Sequence, residues 1–431
     1  HLMNPFSKIL IILFLSAGLS QAQNVSPAQN QPPPAPKQFN VRDFGATGDG
    51  KTNNTSFLQK ALDACAAAGG GEVVVPAGNY LTGSLVLHSH VTLNIEQNAV
   101  LQGSGDTADY PLGTARWEGI ESPAYRALIS ADHAEDIAII GAGTIAGDQQ
   151  IGHLRHPRAP TLIEPVECKN VRVDGLTLTG SRIWTLHPTY CQNVVISNVT
   201  FNTTEANSDN IDPDSCRGVK IDHCTFSCGD DDIAIKSGKG MEGAKIARPC
   251  EDIEITNCTF LKGYSSIAFG SELSGGIQKV HIAHCVFKKG RAALYLKSRP
   301  GRGGYATDIT AEDLETAEPL LEIQTTYTSN PDKQGIPGDN GITSFARIQI
   351  SNVKSTSGRL VTVDATEKKP IDGLTLSDVT GSCADGFILK NIKNIELKNI
   401  NLTGLHGPLL YTLNVQGDGL NGSVPYTGGQ R

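Results

Sequence analysis

A pair of apolar positions, eight residues apart, recurs along the chain and constrains its fold more than any other feature. The first position is occupied by Cys168, Cys191, Cys216, Cys250, Ile277, Ala306, Phe345, Ile371 and Ile392, and the second by Leu176, Val199, Cys224, Cys258, Cys285, Leu314, Val353, Val379 and Ile400. The spacing between successive pairs varies from 21 to 39 residues. Constant strands joined by variable loops are typical of solenoids. The pattern predicts an all-β protein, a right-handed parallel β-helix of about ten coils.

A single amphipathic segment precedes the strands. Ser56 and Gln59 have the spacing of a capping box, and one helical face carries Phe57, Ala61, Leu62 and Cys65. These features predict a short N-terminal helix over residues 55–68. We expect it to cap the open end of the strand stack, because exposed strand edges invite association.

The remaining N-terminal residues divide into short segments. Residues 1–2 are interpreted as a cloning scar, 3–22 as a signal peptide, and 23–38 as a Pro/Gln-rich leader. Residues 39–431 are predicted to form one domain, secreted or periplasmic, monomeric, and without a membrane segment once the signal is removed. The net charge of -8 argues against nucleic acid as a partner.

Seven of the ten cysteines fall in the two apolar columns. In-register side chains point the same way, which favours stacked thiols over disulfide bridges. A disulfide framework is the competing interpretation for an exported protein. There is no CxxC pair and no metal-type Cys/His spacing, so neither a metal nor a cofactor is predicted.

Three consecutive acids follow the Cys224 pair. Asp230 and Asp231 lie six and seven residues after Cys224, and Tyr264 and Arg291 lie six residues after the equivalent positions in the next two coils. We therefore expect these groups to stack along one edge. Crowded carboxylates push their pKa values apart, as hydrolysis of a glycosidic bond requires. A solvated turn or a calcium loop is the alternative.

Further polar groups converge on the same edge. Lys236 and Lys297 each lie twelve residues after a second-column position, and the preceding coil carries a polar insertion with Asp209 and Asp212. Convergent carboxylates on one face of a solenoid indicate a binding cleft.

The motifs resemble family 28 of the glycoside hydrolases, the polygalacturonases of pectin breakdown. The resembling segments are Val41–Gly50, Gly141–Ile145, Ser181–Pro188, Asn207–Cys216 and Gly229–Gly238. The resemblance implies Asp230 as general acid, with Asp209 and Asp231 holding and deprotonating the attacking water in an inverting reaction. Asp232 stands where the family usually carries a small or apolar residue, and we expect it to lie behind these three acids. The resemblance also places Asn207, His187 and Trp184 at the substrate cleft; a core position for Trp184 or His187 is the alternative.

Two positions depart from the family pattern. Tyr264 stands where the family carries His, and Tyr295 where it carries the Arg that pairs with a substrate carboxylate, while Lys297 is kept. Tyrosine can hydrogen-bond and stack on a sugar but carries no positive charge. The substitutions favour a rhamnogalacturonan-type or exo-acting enzyme, with a neutral sugar such as rhamnose on the leaving side.

Substrate contacts are therefore predicted at Lys297, Tyr264, Tyr295, Lys236, Arg291, His187 and Asn207, with a pectic polysaccharide as partner. The stretch 288–302 has six basic residues and no acid, which indicates a docking patch for an anionic chain or a solvated loop. Two alternatives stay open: a non-catalytic pectin-binding β-helix, and a calcium-dependent pectate lyase.

Overall fold

The constant offset of eight residues comes from a corner that every coil repeats. In the strand Gln192–Ser197, Val194 and Ile196 are buried; Asn198 then takes a φ of 55°, and Thr200–Asn202 begins the next sheet. The equivalent left-handed residues are Gly175, Asn198, His223, Asn257, His284, Asp313, Asn352, Asp378 and Asn399. Gly, Asn and Asp accept this conformation most easily. The corner therefore keeps the two apolar columns in register.

The computed structural model describes residues 36–152, 156–327 and 332–428, and from Lys37 onward these form one compact unit. Three parallel sheets wind around a continuous apolar core, which confirms the predicted parallel β-helix. The predicted scar, signal peptide and most of the leader lie outside the described residues. In the part of the chain that the structure describes, no helix is long and apolar enough to cross a bilayer.

The strands of the three sheets follow one another in each coil. The first sheet contains Gln38–Asn40, Gly71–Val75, Val91–Ile95, Glu135–Gly141, Lys169–Asp174, Gln192–Ser197, Arg217–Asp222, Cys250–Thr256 and Ile277–Ala283. The second contains Asp49–Asn53, Gly78–Thr82, Ala99–Gly103, Thr144–Ala146, Thr177–Thr179, Thr200–Asn202, Thr225–Ser227, Thr259–Lys262 and Val286–Phe287. The third contains Leu85–Val86, Ile129–Asp132, Ile163–Val166, Ile233–Ile235, Ile267–Phe269, Leu294–Lys297, Leu321–Gln324 and Val361–Asp364.

The later coils use longer strands. Tyr305–Thr316, Ser344–Arg359 and Ile371–Asp385 turn the corner and continue both the first and the second sheet. Phe387–Thr403 begins in the third sheet, and Leu410–Asp418 and Val424–Pro425 end the stack. The predicted register holds through this region, because Leu314 pairs with Val353 and Val353 with Val379.

Stacked side chains fill the core. Phe201, Phe226, Phe260 and Phe287 lie in one ladder with ring centroids 5.1, 4.8 and 4.8 Å apart. These distances match the spacing between neighbouring strands. All ten cysteines are buried free thiols, which confirms the stacked columns and not the disulfide framework.

Helix α1, Thr55–Ala67, confirms the predicted N-terminal helix and buries Leu58, Ala61, Leu62 and Cys65 against the first coils. The predicted capping box is wrong. The helix begins after Asn54, without a side-chain cap, and Gln59 instead bonds the backbone of Val86.

Two insertions stand on the third-sheet side of the stack. The antiparallel strands Leu112–Trp117 and Ile120–Tyr125 form a hairpin, and its two-residue loop, Glu118 and Gly119, has φ values of 47° and 80°. Positive φ at both loop residues suits the right-handed twist of the hairpin. The short helix α2, Gly240–Ile246, follows the strand Ile233–Ile235. The hairpin borders the site described next, through Trp117 and Glu118.

Candidate active site

The three predicted acids meet at the turn between the second and third sheets. Asp230 and Asp231 lie between Thr225–Ser227 and Ile233–Ile235, and Asp209 lies in the preceding coil, where its backbone carbonyl accepts a bond from Thr185 N. One carboxylate oxygen from each of the three residues lies within 4.8 Å of the other two. The structure therefore brings together the carboxylates that the sequence motifs singled out.

Asp230 is held by backbone donors. The N–H groups of Asn207 and Asp231 each donate to its carboxylate at 3.0 Å. Burial, and then the nearby charge of Asp231, raise the pKa of Asp230, while the Asn207 bond opposes that rise. The half-buried Asp230 can therefore keep a proton to a higher pH than an exposed aspartate.

Asp209 shares its surroundings with Asp212 and Lys236. Burial and the charge of Asp212 raise the pKa of Asp209 well above its usual range. Burial likewise raises the pKa of Asp212 to about 8, against the opposing charge of Lys236. The Lys236 ammonium lies 3.9 Å from Asp209 and 3.5 Å from Asp212. Its closest acid is Glu272, at 3.2 Å.

Asp231 is compensated differently. The Lys297 ammonium donates to its Oδ2 at 2.6 Å, and the Ser265 hydroxyl donates to its Oδ1. Burial opposes the charge on Lys297, but Asp231 more than offsets that effect and raises the pKa of the ammonium group. Lys297 therefore stays charged and keeps a cation beside the acids.

The acids open into a cavity of about 320 Å³. Besides the acids, Asn207, Lys236 and Lys297, its lining contains Trp117, Glu118, Trp184, Ser271, Glu272, Arg299, Arg302 and Tyr327. This volume is within the range of small-molecule sites. Trp117, Glu118, Ser271, Glu272 and Tyr327 were not predicted from the sequence to line the site.

The hairpin Leu112–Tyr125 forms one end of this cavity. Trp117 packs on Trp184 with ring centroids 4.5 Å apart, and the buried Arg116 contacts Asp214 at 2.7 Å. The sequence does contain a signal for the hairpin, because Glu118-Gly119 between two extended segments suits a two-residue turn.

Tyr264, Tyr295 and Arg291 adjoin the cavity beside Lys297. The Lys297 ammonium lies 5.9 Å from the Tyr264 ring centroid and 5.3 Å from that of Tyr295. Tyr264 is 47% exposed, whereas Tyr295 is 2% exposed and donates its hydroxyl to Gln324. The predicted stacking of Asp230, Tyr264 and Arg291 along one edge is confirmed. The backbone N–H of Tyr264 donates to the carbonyl of Asp230, and the N–H of Arg291 donates to the carbonyl of Tyr264.

The prediction that His187 contacts substrate is not supported by its position. Its side chain is fully buried, with Nδ1 3.0 Å from Glu164 and Nε2 3.2 Å from Thr189. Its ring meets Trp184 edge to face. His187 therefore lies behind Trp184, which lines the cavity itself.

The basic stretch 288–302 is not a single patch, contrary to the prediction. Lys288 and Lys289 are exposed on the outer surface, whereas Arg291 makes a two-pronged contact with Glu322. Lys297 and Arg302 are engaged by buried acids. The basic residues are therefore divided between the outer surface and ion pairs with partly or fully buried acids.

Asp232 lies behind the other acids, away from the cavity lining. It is fully buried, accepts a bond from Asn210 at 3.1 Å, and burial raises its pKa well above the usual range. Asp209, Asp230 and Asp231 are near enough to one another to approach one cation. However, Lys236 and Lys297 already supply positive charge at these carboxylates.

Comparison with known proteins agrees with this geometry. The family model described as glycosyl hydrolases family 28 matches residues 65–405. A probable polygalacturonase of Vitis vinifera is 33% identical over 363 residues, covering 78% of this chain and 73% of that protein. An exo-poly-alpha-D-galacturonosidase of Dickeya chrysanthemi is 26% identical over 417 residues, covering 83% and 67%.

A solved structure shows the same architecture. A hyperthermoactive exopolygalacturonase from Thermotoga maritima superposes with a TM-score of 0.77 and 25% identity, covering 86% of this chain and 93% of that chain. Because the family model spans most of the sequence, this chain belongs to family 28 of the glycosyl hydrolases and is a glycosidase.

Proposed function

We propose that this protein is an exo-acting polygalacturonase, which hydrolyses α-linked galacturonic acid from one end of a pectic polysaccharide. The observation that carries the proposal is a carboxylate triad in a cavity that the hairpin Leu112–Tyr125 bounds at one end. The names of the relatives from Dickeya chrysanthemi and Thermotoga maritima, both exo-acting on galacturonan, support it.

The reach of the hairpin supports action at a chain end. It leaves the stack just before the third-sheet strand Ile129–Asp132, and its tip lies against Lys239, beyond Ile233–Ile235. The strands Ile129–Asp132 and Ile233–Ile235 are four strand spacings apart, or about 19 Å along the stack. The spacings are counted through the paired residues Ile163, Leu186 and Ile211. A wall of this length beside the acids blocks passage of a continuous polymer.

The roles of the acids follow from their surroundings. Asp230 donates its proton to the oxygen of the leaving sugar as the glycosidic C–O bond breaks. Asp209 and Asp231 orient a water, whose oxygen bonds the anomeric carbon and whose proton passes to one of these carboxylates. Asp209 and Asp231 both line the cavity, which gives a water molecule access to the two side chains.

Inversion is part of the proposal and needs its own test. The nearest oxygens of the triad lie within 4.8 Å, whereas carboxyl groups of inverting enzymes are typically about 6.5–9.5 Å apart. The water must therefore sit directly against two carboxylates. Proton NMR of the first product anomer measures the outcome: a β-anomer from an α-linkage supports inversion, and an α-anomer excludes it.

A rhamnogalacturonan-type substrate is the second candidate. It is favoured by Tyr295, which is buried against Gln324 and supplies no cation at the position where the family pattern has Arg. The half-exposed Tyr264 offers a ring face instead, which suits a neutral sugar.

One digestion experiment separates these possibilities. The protein is incubated with polygalacturonate, rhamnogalacturonan and a rhamnosylated oligomer, each beside Asp230→Asn. We expect galacturonic acid as the first product, with little early loss of viscosity. Mixed oligomers with a rapid viscosity loss would exclude exo action, and cleavage of rhamnogalacturonan alone would select the second candidate.

Export and a monomeric state belong to the same proposal. A polymer outside the cell is the expected substrate, and residues 3–22 have the pattern of a secretory signal. N-terminal sequencing after expression in a secreting host should show loss of those residues, and light scattering should give the mass of one chain. An intact leader or a dimer mass would contradict the respective point.

A further inference from the structure

A series of buried ion pairs connects Arg302 to the acids of the cavity. The Arg302 guanidinium lies 2.9 Å from Oε1 of Glu272. The other oxygen of Glu272, Oε2, accepts a bond of 3.2 Å from the Lys236 ammonium group. Lys236 in turn lies 3.5 Å from Asp212 and 3.9 Å from Asp209. Glu272 is thus placed between two cations, and Lys236 is shared among three acids.

Glu272 stays ionised although it is almost fully buried. Burial alone would raise its pKa, but Lys236, Arg302 and then Lys297 hold that pKa well below its usual range. Burial opposes the charge on Lys236 as well, but four acids raise the pKa of its ammonium group well above the usual range: Glu272, which contributes most, Asp212, Asp209 and Asp231. Glu272 is therefore the strongest partner of Lys236.

Asp209 and Asp212 receive only a part of the same positive charge. Burial and the charge of Asp212 raise the pKa of Asp209, and burial raises that of Asp212. Lys236 opposes the rise at both acids. The more closely Lys236 is held by Glu272, the less it can compensate these two carboxylates.

We infer that Glu272 is a positioning residue, which holds the Lys236 ammonium group and so limits the positive charge available to Asp209. A carboxylate with less compensation binds a proton more strongly, which favours removal of a proton from the attacking water. Glu272 acts through Lys236 and not on the reacting atoms. The inference rests on the proposed function, because it assumes that Asp209 helps to activate the water.

The first test is the pH dependence of kcat/KM on polygalacturonate for Glu272→Gln. The acidic limb of this profile reports the ionisation of the base in the free enzyme. Without the charge of Glu272, Lys236 compensates Asp209 and Asp212 more fully, so we expect this limb to move down by about one pH unit. Because no substrate contact is lost, KM at the pH optimum should stay within about twofold.

The second test needs no substrate. Trp117 and Trp184 are the two tryptophans of the chain, and both line the cavity. The Lys236 ammonium lies 4.7 Å from the Trp184 ring centroid, so tryptophan fluorescence reports the titration of the acids around Lys236. The midpoint of this titration should move down by about one pH unit in Glu272→Gln. It should move up in Lys236→Met, because that change removes the cation.

Glu254→Gln is the matched control, because Glu254 pairs with Lys220 at the same distance of 3.2 Å on the outer face of the first sheet. Its limb and its midpoint should equal those of wild type. Glu272→Asp keeps the negative charge, so its shifts should have the same direction as those of Glu272→Gln and a smaller size. If circular dichroism shows that Glu272→Gln does not fold, Glu272→Asp must still show the downward shifts.

Two results would overturn the inference. The first is an acidic limb and a fluorescence midpoint that stay at their wild-type values in the Glu272 variants. The second is a raised KM with an unmoved limb, which would assign Glu272 to substrate binding. A wild-type protein that does not cleave polygalacturonate would instead refute the proposed function, and the fluorescence titration would then decide on the role of Glu272 by itself.

Discussion

Two buried charged clusters lie in neighbouring coils of the third-sheet side, and they differ in charge balance. The first, here called the paired cluster, consists of Arg116, Arg158, Glu164, His187 and Asp214. The Arg158 guanidinium makes two bonds of 2.9 Å to Glu164, and Arg116 contacts Asp214 at 2.7 Å. Burial alone would raise the pKa of Glu164, yet Arg158 and His187 lower it to about 2.

The second, here called the acid cluster, consists of Asp209, Asp212, Asp230, Asp231 and Lys236. Its four carboxylates exceed its cations even when Lys297 is counted. Burial and mutual repulsion raise the pKa values of Asp209 and Asp230, and burial raises that of Asp212. This cluster therefore retains protons near neutral pH.

The comparison shows that burial of charged groups has different consequences in the two clusters. In the paired cluster each acid meets an arginine in good geometry, so burial is compensated and the groups anchor the hairpin and the cavity floor. In the acid cluster burial is left undercompensated, so proton affinities spread, which acid/base chemistry uses. The three acids proposed to react, Asp209, Asp230 and Asp231, all belong to this undercompensated cluster.

The largest expected effect comes from removing the proton donor of the acid cluster. Asp230→Asn should lower kcat on polygalacturonate by about 10²–10⁴-fold, the usual contribution of a general acid. With a 4-nitrophenyl leaving group, which departs without protonation, much of this loss should disappear. Asp209→Asn and Asp231→Asn should stay inactive on both substrates, because the water still needs activation.

Asp308→Asn serves as the control for this series, since Asp308 is exposed and its partner is Arg347. Its kinetics should match wild type. If the 4-nitrophenyl substrate restores Asp209→Asn and not Asp230→Asn, the roles of acid and base are exchanged. Activity should also fall as pH rises through the raised pKa of the donor, because only the protonated form works.

The next effect concerns stability and compares the clusters directly. Glu164→Gln leaves the buried Arg158 without its charge partner, and should cost about 3–5 kcal/mol of unfolding free energy. Asp212→Asn removes one of several crowded acids while Lys236 keeps Glu272 at 3.2 Å. It should be close to neutral, or stabilising at pH 8.

Urea denaturation at pH 7 and pH 8 measures both variants beside wild type. A large decrease in unfolding free energy for Asp212→Asn, with a small decrease for Glu164→Gln, would contradict the proposal that the paired cluster stabilises the fold and the acid cluster does not. Circular dichroism of the folded variants provides the control that the β-helix is retained.

Ladders and turn positions were predictable from the sequence because a solenoid repeats them. The offset of eight residues fixed the pairing of Leu314, Val353 and Val379, and counting from Cys224 placed Asp230 beside Tyr264. Period alone determines such neighbours. The convergence of Asp209 on the acids also followed, because adjacent coils lie one strand spacing apart.

Features that depend on insertions were not predictable in this way. The hairpin carrying Trp117 crosses four coil levels, so its contact with Trp184 has no counterpart in the period. His187 was misplaced because its burial is set by Glu164 of the preceding coil and by Trp184. Arg302 was grouped with an exposed patch, whereas Asp332 in a later loop draws it inward.

The smallest expected effect concerns Glu318, a buried acid outside both clusters, and the pH dependence of stability that it causes. This acid is buried and accepts a bond from the Ser266 hydroxyl at 2.7 Å, and its other oxygen has no hydrogen-bond partner among the described residues. Burial raises its pKa to about 7. In the unfolded chain Glu318 loses its proton above about pH 4.5, whereas in the folded protein it keeps the proton up to about pH 7. The unfolding free energy therefore decreases as the pH rises from about 4.5 through 7. The full loss is roughly 3 kcal/mol at most.

Glu318→Gln keeps an acceptor for Ser266 without the titration, so its unfolding free energy should fall less than that of wild type between pH 5 and pH 8. Parallel profiles for the two proteins would show that Glu318 is compensated as in the paired cluster.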